Sequence, residues 1–210
     1  ASLCKERLPR VVIRQTNAAG TDIPAAGHYA VKRAGSICAE GTYRTGEAFT
    51  PDAFAGLPSG KYRIVYKVSQ DGGAAALSAL CDSTEVLLFS ETDTRPAAEA
   101  DFWNNVRMSA RGDTACVMVG SSCDDVTLFY DILAAGKVVE SRRIVFSDSL
   151  LRFTIPYEAA WGDGARACFA FVKNGNLHEF DTEIRKPLPD KRLVLRWSSF
   201  RSRLTPGSDE

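Results

Sequence analysis

Every second residue is apolar in a series of short runs along this chain, and that rhythm excludes most folds. Tyr62, Ile64, Tyr66 and Val68 fall on one side of an extended segment, with Arg63 and Lys67 on the other. Val126, Leu128, Tyr130 and Ile132 repeat the pattern against Thr127 and Asp131. Leu151, Phe153 and Ile155 do so against Arg152 and Thr154, and Leu193, Leu195 and Trp197 against Arg192, Val194 and Arg196. Side chains of a strand alternate between its two faces, so each run buries one face and wets the other. Such strands are stable when two sheets close on a shared core. The expectation is an all-β fold of antiparallel β-sandwiches in tandem.

The punctuation between the runs agrees. Asn174-Gly175 separates 167–172 from 177–184, and Asn-Gly suits the two positive φ angles of a tight hairpin turn. Ala135-Gly136 divides 126–132 from 138–146, Ser59-Gly60 opens the Tyr62 strand, and Asp71-Gly72-Gly73 closes it. Helical signals are weaker. Residues 50–54 suit a single turn after Pro51, and 97–106 suit a short helix with Ala98, Phe102 and Val106 on one face. The polar stretch 91–96, ending at Pro96, follows the apolar run 86–89 and reads as a boundary. Pro187 and Pro189 each lack a backbone donor and mark a second break. The chain therefore divides into a sandwich at 1–95, a second at 96–188, and at 189–210 the start of a further module or a terminal strand. It opens without Met and ends within a pattern, as an excised or processed segment does.

Composition narrows the function classes. Hydrophobic residues make up 45% of the 210 and charged residues 25%, the balance of a folded protein. Lys and Arg total 26, as do Asp and Glu, so the net charge is zero. No nucleic-acid or membrane contact is expected of this segment. The basic run 186–203 is read as the solvated face of a strand. The six cysteines, Cys4, Cys38, Cys81, Cys116, Cys123 and Cys168, match no standard zinc spacing. Cys116 and Cys168 lie in strand-like runs, where buried free thiols are expected ahead of a disulfide.

No catalytic, cofactor or metal site is expected. His28 and His178 are the only imidazoles, and neither accompanies a Gly-x-Ser-x-Gly elbow. Asp124-Asp125 reads as a hairpin turn before it reads as a calcium site, and Glu179, Asp181 and Glu183 as the wet face of one strand. Arg111-Gly112-Asp113 matches an adhesion tripeptide and equally suits a turn. Phe102-Trp103, Trp161 and Trp197 supply either a carbohydrate platform or packing. For Phe102, Trp103, Pro187, Pro189 and Trp197 the reading is contact between modules, with some relative motion at the boundaries.

Several stretches resemble the α2-macroglobulin family of Bacteroidetes-type bacteria. Segment 186–207, with Trp197, Phe200-Arg201 and Pro206-Gly207, is similar to a junction entering a macroglobulin domain. Val119-Gly120-Ser121-Ser122 with 124–130 resembles the first hairpin of the preceding domain, as do Ile155-Pro156-Tyr157, Trp161-Gly162-Asp163-Gly164 and strand 168–172. The likeness covers about 86–207. It implies macroglobulin or immunoglobulin-like sandwiches within an exported protease trap, in the periplasm or on the outer-membrane surface. Its partners are then neighbouring domains of the same polypeptide and, for the whole protein, target proteases. The family's thioester motif, Cys-x-Glu-Gln, has its nearest match at Cys38-Ala39-Glu40-Gly41, where Gly41 replaces the Gln. The segment is therefore expected to be scaffold, and the alternative is a module that captures glycan or peptide.

Overall fold

The computed structural model describes residues 2–49, 52–69 and 81–187. Among these, the regular structure consists of β-strands and short 3₁₀ turns, with no α-helix. The first seven strands are β1 (Ser2–Cys4), β2 (Val11–Val12), β3 (Ala26–Arg33), β4 (Ser36–Arg44), β5 (Ala48–Phe49), β6 (Gly60–Ser69) and β7 (Cys81–Phe89). Five of them form a sheet in the order β1-β7-β6-β3-β4, antiparallel except where β1 runs parallel to β7. The facing layer is slight, consisting of the β2-β5 ribbon and a 3₁₀ turn at Asp52–Gly56. That turn drives Phe54 into a core of Val31, Tyr62, Ile64, Val86 and Leu88. Phe54 meets Tyr62 edge to face at 6.5 Å, so one aromatic does work that a longer strand does elsewhere.

The second seven strands are β8 (Trp103–Met108), β9 (Thr114–Ser121), β10 (Val126–Ala134), β11 (Lys137–Phe146), β12 (Ser149–Pro156), β13 (Gly164–Lys173) and β14 (Asn176–Arg185). They form a three-stranded sheet, β12-β9-β8, facing a four-stranded sheet, β11-β10-β13-β14. The chain changes sheets at β9–β10, β11–β12 and β12–β13, which gives an antiparallel sandwich. Val117, Val119, Leu128, Ile132, Phe169 and Phe171 are buried between the layers. Tyr130, Phe153 and Phe169 pack ring to ring at 5.0–5.1 Å. Each buried side chain of this size stabilises by about 1.5–3 kcal/mol relative to exposure.

The tandem all-β architecture thus follows the alternation, with informative local departures. Residues 97–106 are not helical, because they comprise an irregular approach and the start of β8. Phe102 packs in the sandwich core while Trp103 packs on the opposite side. Consecutive residues of an extended chain serve two opposed cores, whereas a helix holds them about 100° apart. Asp124-Asp125 is a corner between sheets and not a hairpin, since β9 and β10 do not pair. Asp125 takes φ 51° there, and its N–H donates to Ser147 Oγ at 2.8 Å. Cys116 and Cys168 are free thiols on strands, but they are only half-buried. Their register partners explain this: Arg107 and Thr154 flank Cys116, and Asp131 and Asp181 flank Cys168, all on outward faces.

Candidate functional site: the junction between the sheet systems

Strands before residue 90 pair only with one another, as do strands after residue 102, so the segment 90–102 joins two sheet systems. It is fixed on both sides. Asp93 folds the segment back: its Oδ2 accepts the Ser90 N–H at 2.8 Å, and its Oδ1 accepts the Ser59 hydroxyl at 2.9 Å. Glu6, just after β1, accepts the Ser90 hydroxyl on one oxygen and the Glu91 N–H at 3.1 Å on the other. The Glu91 carboxylate pairs with Arg7 on the first side and with Arg107 of β8, at 3.4 Å, on the second. Arg152 of β12 donates its Nε to the Glu91 carbonyl at 2.9 Å and an Nη to the Asp93 carbonyl. Leu150 N–H donates to the Thr94 carbonyl at 2.9 Å, and Ala100 exchanges backbone and hydroxyl bonds with Ser122.

Beneath this polar lacing lies a separate apolar cluster. Phe89, the last residue of β7, joins Trp103, Met118 and Leu150 from the outer face of the three-stranded sheet. All are under 10% exposed, and Cys4, Leu87, Ala97 and Ala100 rim them. Gly120 sits opposite both Trp103 and Leu150, and a Cβ there would lie 2.3 Å from the Ser149 carbonyl oxygen. A side chain at 120 is therefore excluded by backbone. The outer face of a sheet is ordinarily wet, so a dry cluster on it marks a surface built to be covered.

Burial raises the Glu6 carboxyl, but bonds from Ser90, Cys4 and the Glu91 N–H outweigh it and hold the pKa at about 2. The group stays ionised and keeps the segment's first turn tied to β1 over the whole neutral range.

Trp103 lies at the centre of the junction. Phe102 does not belong to it: it packs edge to face with Phe171 at 5.4 Å and beside His178 at 5.9 Å, within the sandwich. Pro187 is half-buried two residues beyond β14, at the end where the Arg185 N–H donates to the Gly112 carbonyl and not at the Trp103 end of β8, and Pro189 and Trp197 lie outside the described residues, as does 189–210. The sequence reading places Arg152 only on the wet face of a strand and Glu91 and Asp93 only in a polar boundary, and it gives Glu6 no role, because a partner far along the chain leaves no periodic signal. The cue within reach was the polar knot 90–95 itself.

The remaining candidates disperse. His28 is exposed on β3, while His178 is wedged against Phe171 on β14 in the other sheet system. Glu179, Asp181 and Glu183 line the wet face of β14, where Arg166 pairs with two of them. Among the described residues no cluster of three or more His, Cys, Asp or Glu is placed to hold a metal. Arg111-Gly112-Asp113 is the β8–β9 turn, with Gly112 at φ 72° and Asp113 Oδ1 accepting the Ser109 hydroxyl at 2.5 Å. Trp103 and Trp161 are buried, so neither offers a flat face to a sugar.

No family model matches the chain, and no curated protein matches it. Among solved structures it is similar to the chicken CNTN1 FN1–FN3 domains, at 12% identity and a TM-score of 0.27, over 88% of this chain. The chain spans 62% of the length of that one. The sandwich rests on its own strand pairing and not on this likeness.

Proposed function

We propose that this chain is a non-catalytic scaffold segment of an exported α2-macroglobulin-like protease trap. Its partners are the neighbouring modules of one polypeptide and, for the whole protein, the captured protease, and it works in the periplasm or at the outer-membrane surface. The reading is supported by the motif resemblance over about 86–207 and by one structural observation, the junction. A trap that closes must convey the displacement of one module to the next without dissipating it in slack. A segment fixed by hydrogen bonds and by a dry aromatic cluster on both sides moves as part of one body. The lacing of 90–102 by Glu6, Asp93 and Arg152 and the Phe89–Trp103 contact couple the two sheet systems in this way. Capture of glycan is the weaker reading, since the two tryptophans in view are buried.

The test uses the full-length protein and a broad-specificity protease. One cleavage outside 1–210, followed by compaction in small-angle scattering and retention of the protease, is the expected result. Many scattered cuts without compaction would remove the reading.

A further inference from the structure

Among the described residues none covers the outer face of the four-stranded sheet, and its side chains form an ordered pattern. The register places Arg143, Phe129, Ala170 and Glu179 in one row across β11, β10, β13 and β14. Towards one end of the sheet come Val145 beside Thr127 and Val172 beside Leu177. Towards the other come Ser141, Asp131, Cys168 and Asp181. Phe129 is 50% exposed, and Val145, Val172 and Leu177 are each above 60%. The Arg143 guanidinium lies over the Phe129 ring, 5.9 Å from its centroid. Each row that carries charge is thus unlike at its ends: basic or neutral on β11, acidic on β14.

We propose that this face is a self-association surface, on which a second copy of the chain packs sheet to sheet about a two-fold axis parallel to the strands and between β10 and β13. Two-fold association demands a patch complementary to itself. Rotation about this axis lays β11 of one copy over β14 of the other, and β10 over β13. Arg143 then meets Glu179 of the second copy, twice by symmetry. Phe129 meets the small Ala170, which leaves room for the ring, and Val145 meets Leu177. Asp181 meets Ser141, so no like charges are opposed in these rows. An axis along the rows lacks this property, because it returns each strand upon itself and opposes Arg143 to the basic strand. Charge matching therefore selects both the occupant and its orientation. Sheets packed this way lie about 10 Å apart, a span that Phe, Val and Leu side chains fill.

The experiment is sedimentation equilibrium on the intact chain up to about 1 mM, the weak end of specific association. The expected result is a reversible monomer–dimer equilibrium, weakened at least about tenfold by Phe129→Glu, by Arg143→Glu and by Glu179→Arg, each about 1.4 kcal/mol or more. Circular dichroism confirms that each variant is folded. The decisive measurement mixes the Arg143→Glu and Glu179→Arg proteins. Each alone opposes like charges, whereas the mixed pair restores both contacts, so the mixture associates and its components do not. A chain that stays monomeric throughout, as it would if another module of a longer polypeptide covered the face, overturns the proposal. So does a dimer indifferent to Phe129→Glu, or a mixture no more associated than its parts.

Discussion

Phe89 and Trp103 meet edge to face, with ring centroids 5.2 Å apart and planes at 71°, although they belong to strands of different sheet systems. Each is the terminal residue of its strand, so the contact forms where the first system ends and the second begins. Trp103→Ala removes a side chain only 8% exposed and is expected to cost about 3–5 kcal/mol. A double-mutant cycle with Phe89→Ala, measured by urea unfolding, should return a coupling of about 0.5–1.5 kcal/mol. A coupling of zero would mean that the rings are neighbours without being partners.

Glu6 gives the junction a dependence on acid. Its carboxyl titrates at about 2 in place of the usual 4.5, because bonds from Ser90, Cys4 and the Glu91 N–H favour the ionised form against the opposing effect of burial. A depressed carboxyl contributes stability that is complete above the unfolded value and is lost as pH falls through the folded one. The contribution is therefore full at pH 6 and fades between about pH 4.5 and 2. Glu6→Gln should lower stability at neutral pH and flatten the slope in that window. Thermal melts from pH 7 to 2 measure both. Glu6 is largely exposed, so solvent screening keeps the effect to a fraction of what the shift alone implies.

The thiols should separate by rate. Cys38 and Cys81 are exposed on β4 and β7. Burial pushes the Cys4 thiol up, helped by its bond to Glu6, and burial followed by the nearby Asp181 pushes Cys168 up. Thiolate is the reactive form, so a raised pKa slows alkylation. Maleimide at pH 7 followed by peptide mass spectrometry should label Cys38 and Cys81 first and Cys4 and Cys168 last. In urea the rates should converge.

What was legible in the sequence is what local periodicity encodes. Val126, Leu128, Tyr130 and Ile132 alternate in the chain and are all buried on one face of β10, because strand geometry forces that outcome wherever the sheet goes. Phe102-Trp103 shows where the method stops. Two adjacent aromatics read as one apolar feature, and only the sheets beside them decide that one turns into the sandwich and its neighbour toward Phe89. The same limit hid Glu91, whose carboxylate joins arginines 84 residues before it in the chain and 16 after it. Such contacts are properties of topology, and no window of sequence contains both ends. The slight second layer before residue 90 was hidden for a related reason, since one inserted Phe54 replaces strands that the alternation led one to expect.

The hairpin turns supply a test in which the same backbone carries different residues. Asn174-Gly175 takes φ of 51° and 77°, Ala135-Gly136 takes 50° and 73°, and Ala34-Gly35 takes 48° and 87°. All three are two-residue turns with both φ values positive, the form that follows the twist of the strands it joins. Asn tolerates the left-handed region, while an Ala Cβ approaches its own carbonyl there, so Ala34 and Ala135 hold strain that Asn174 avoids. Ala135→Asn should stabilise the second sandwich by about 0.5–1 kcal/mol, and Asn174→Ala should destabilise it by a similar amount. In this chain that corresponds to a shift of about 1–4 °C in Tm, readable by calorimetry. Position 135 is exposed, so neither exchange disturbs packing, and opposite signs at the two turns isolate the backbone effect. Equal signs would place the energy of these turns in side-chain contacts and not in the left-handed backbone.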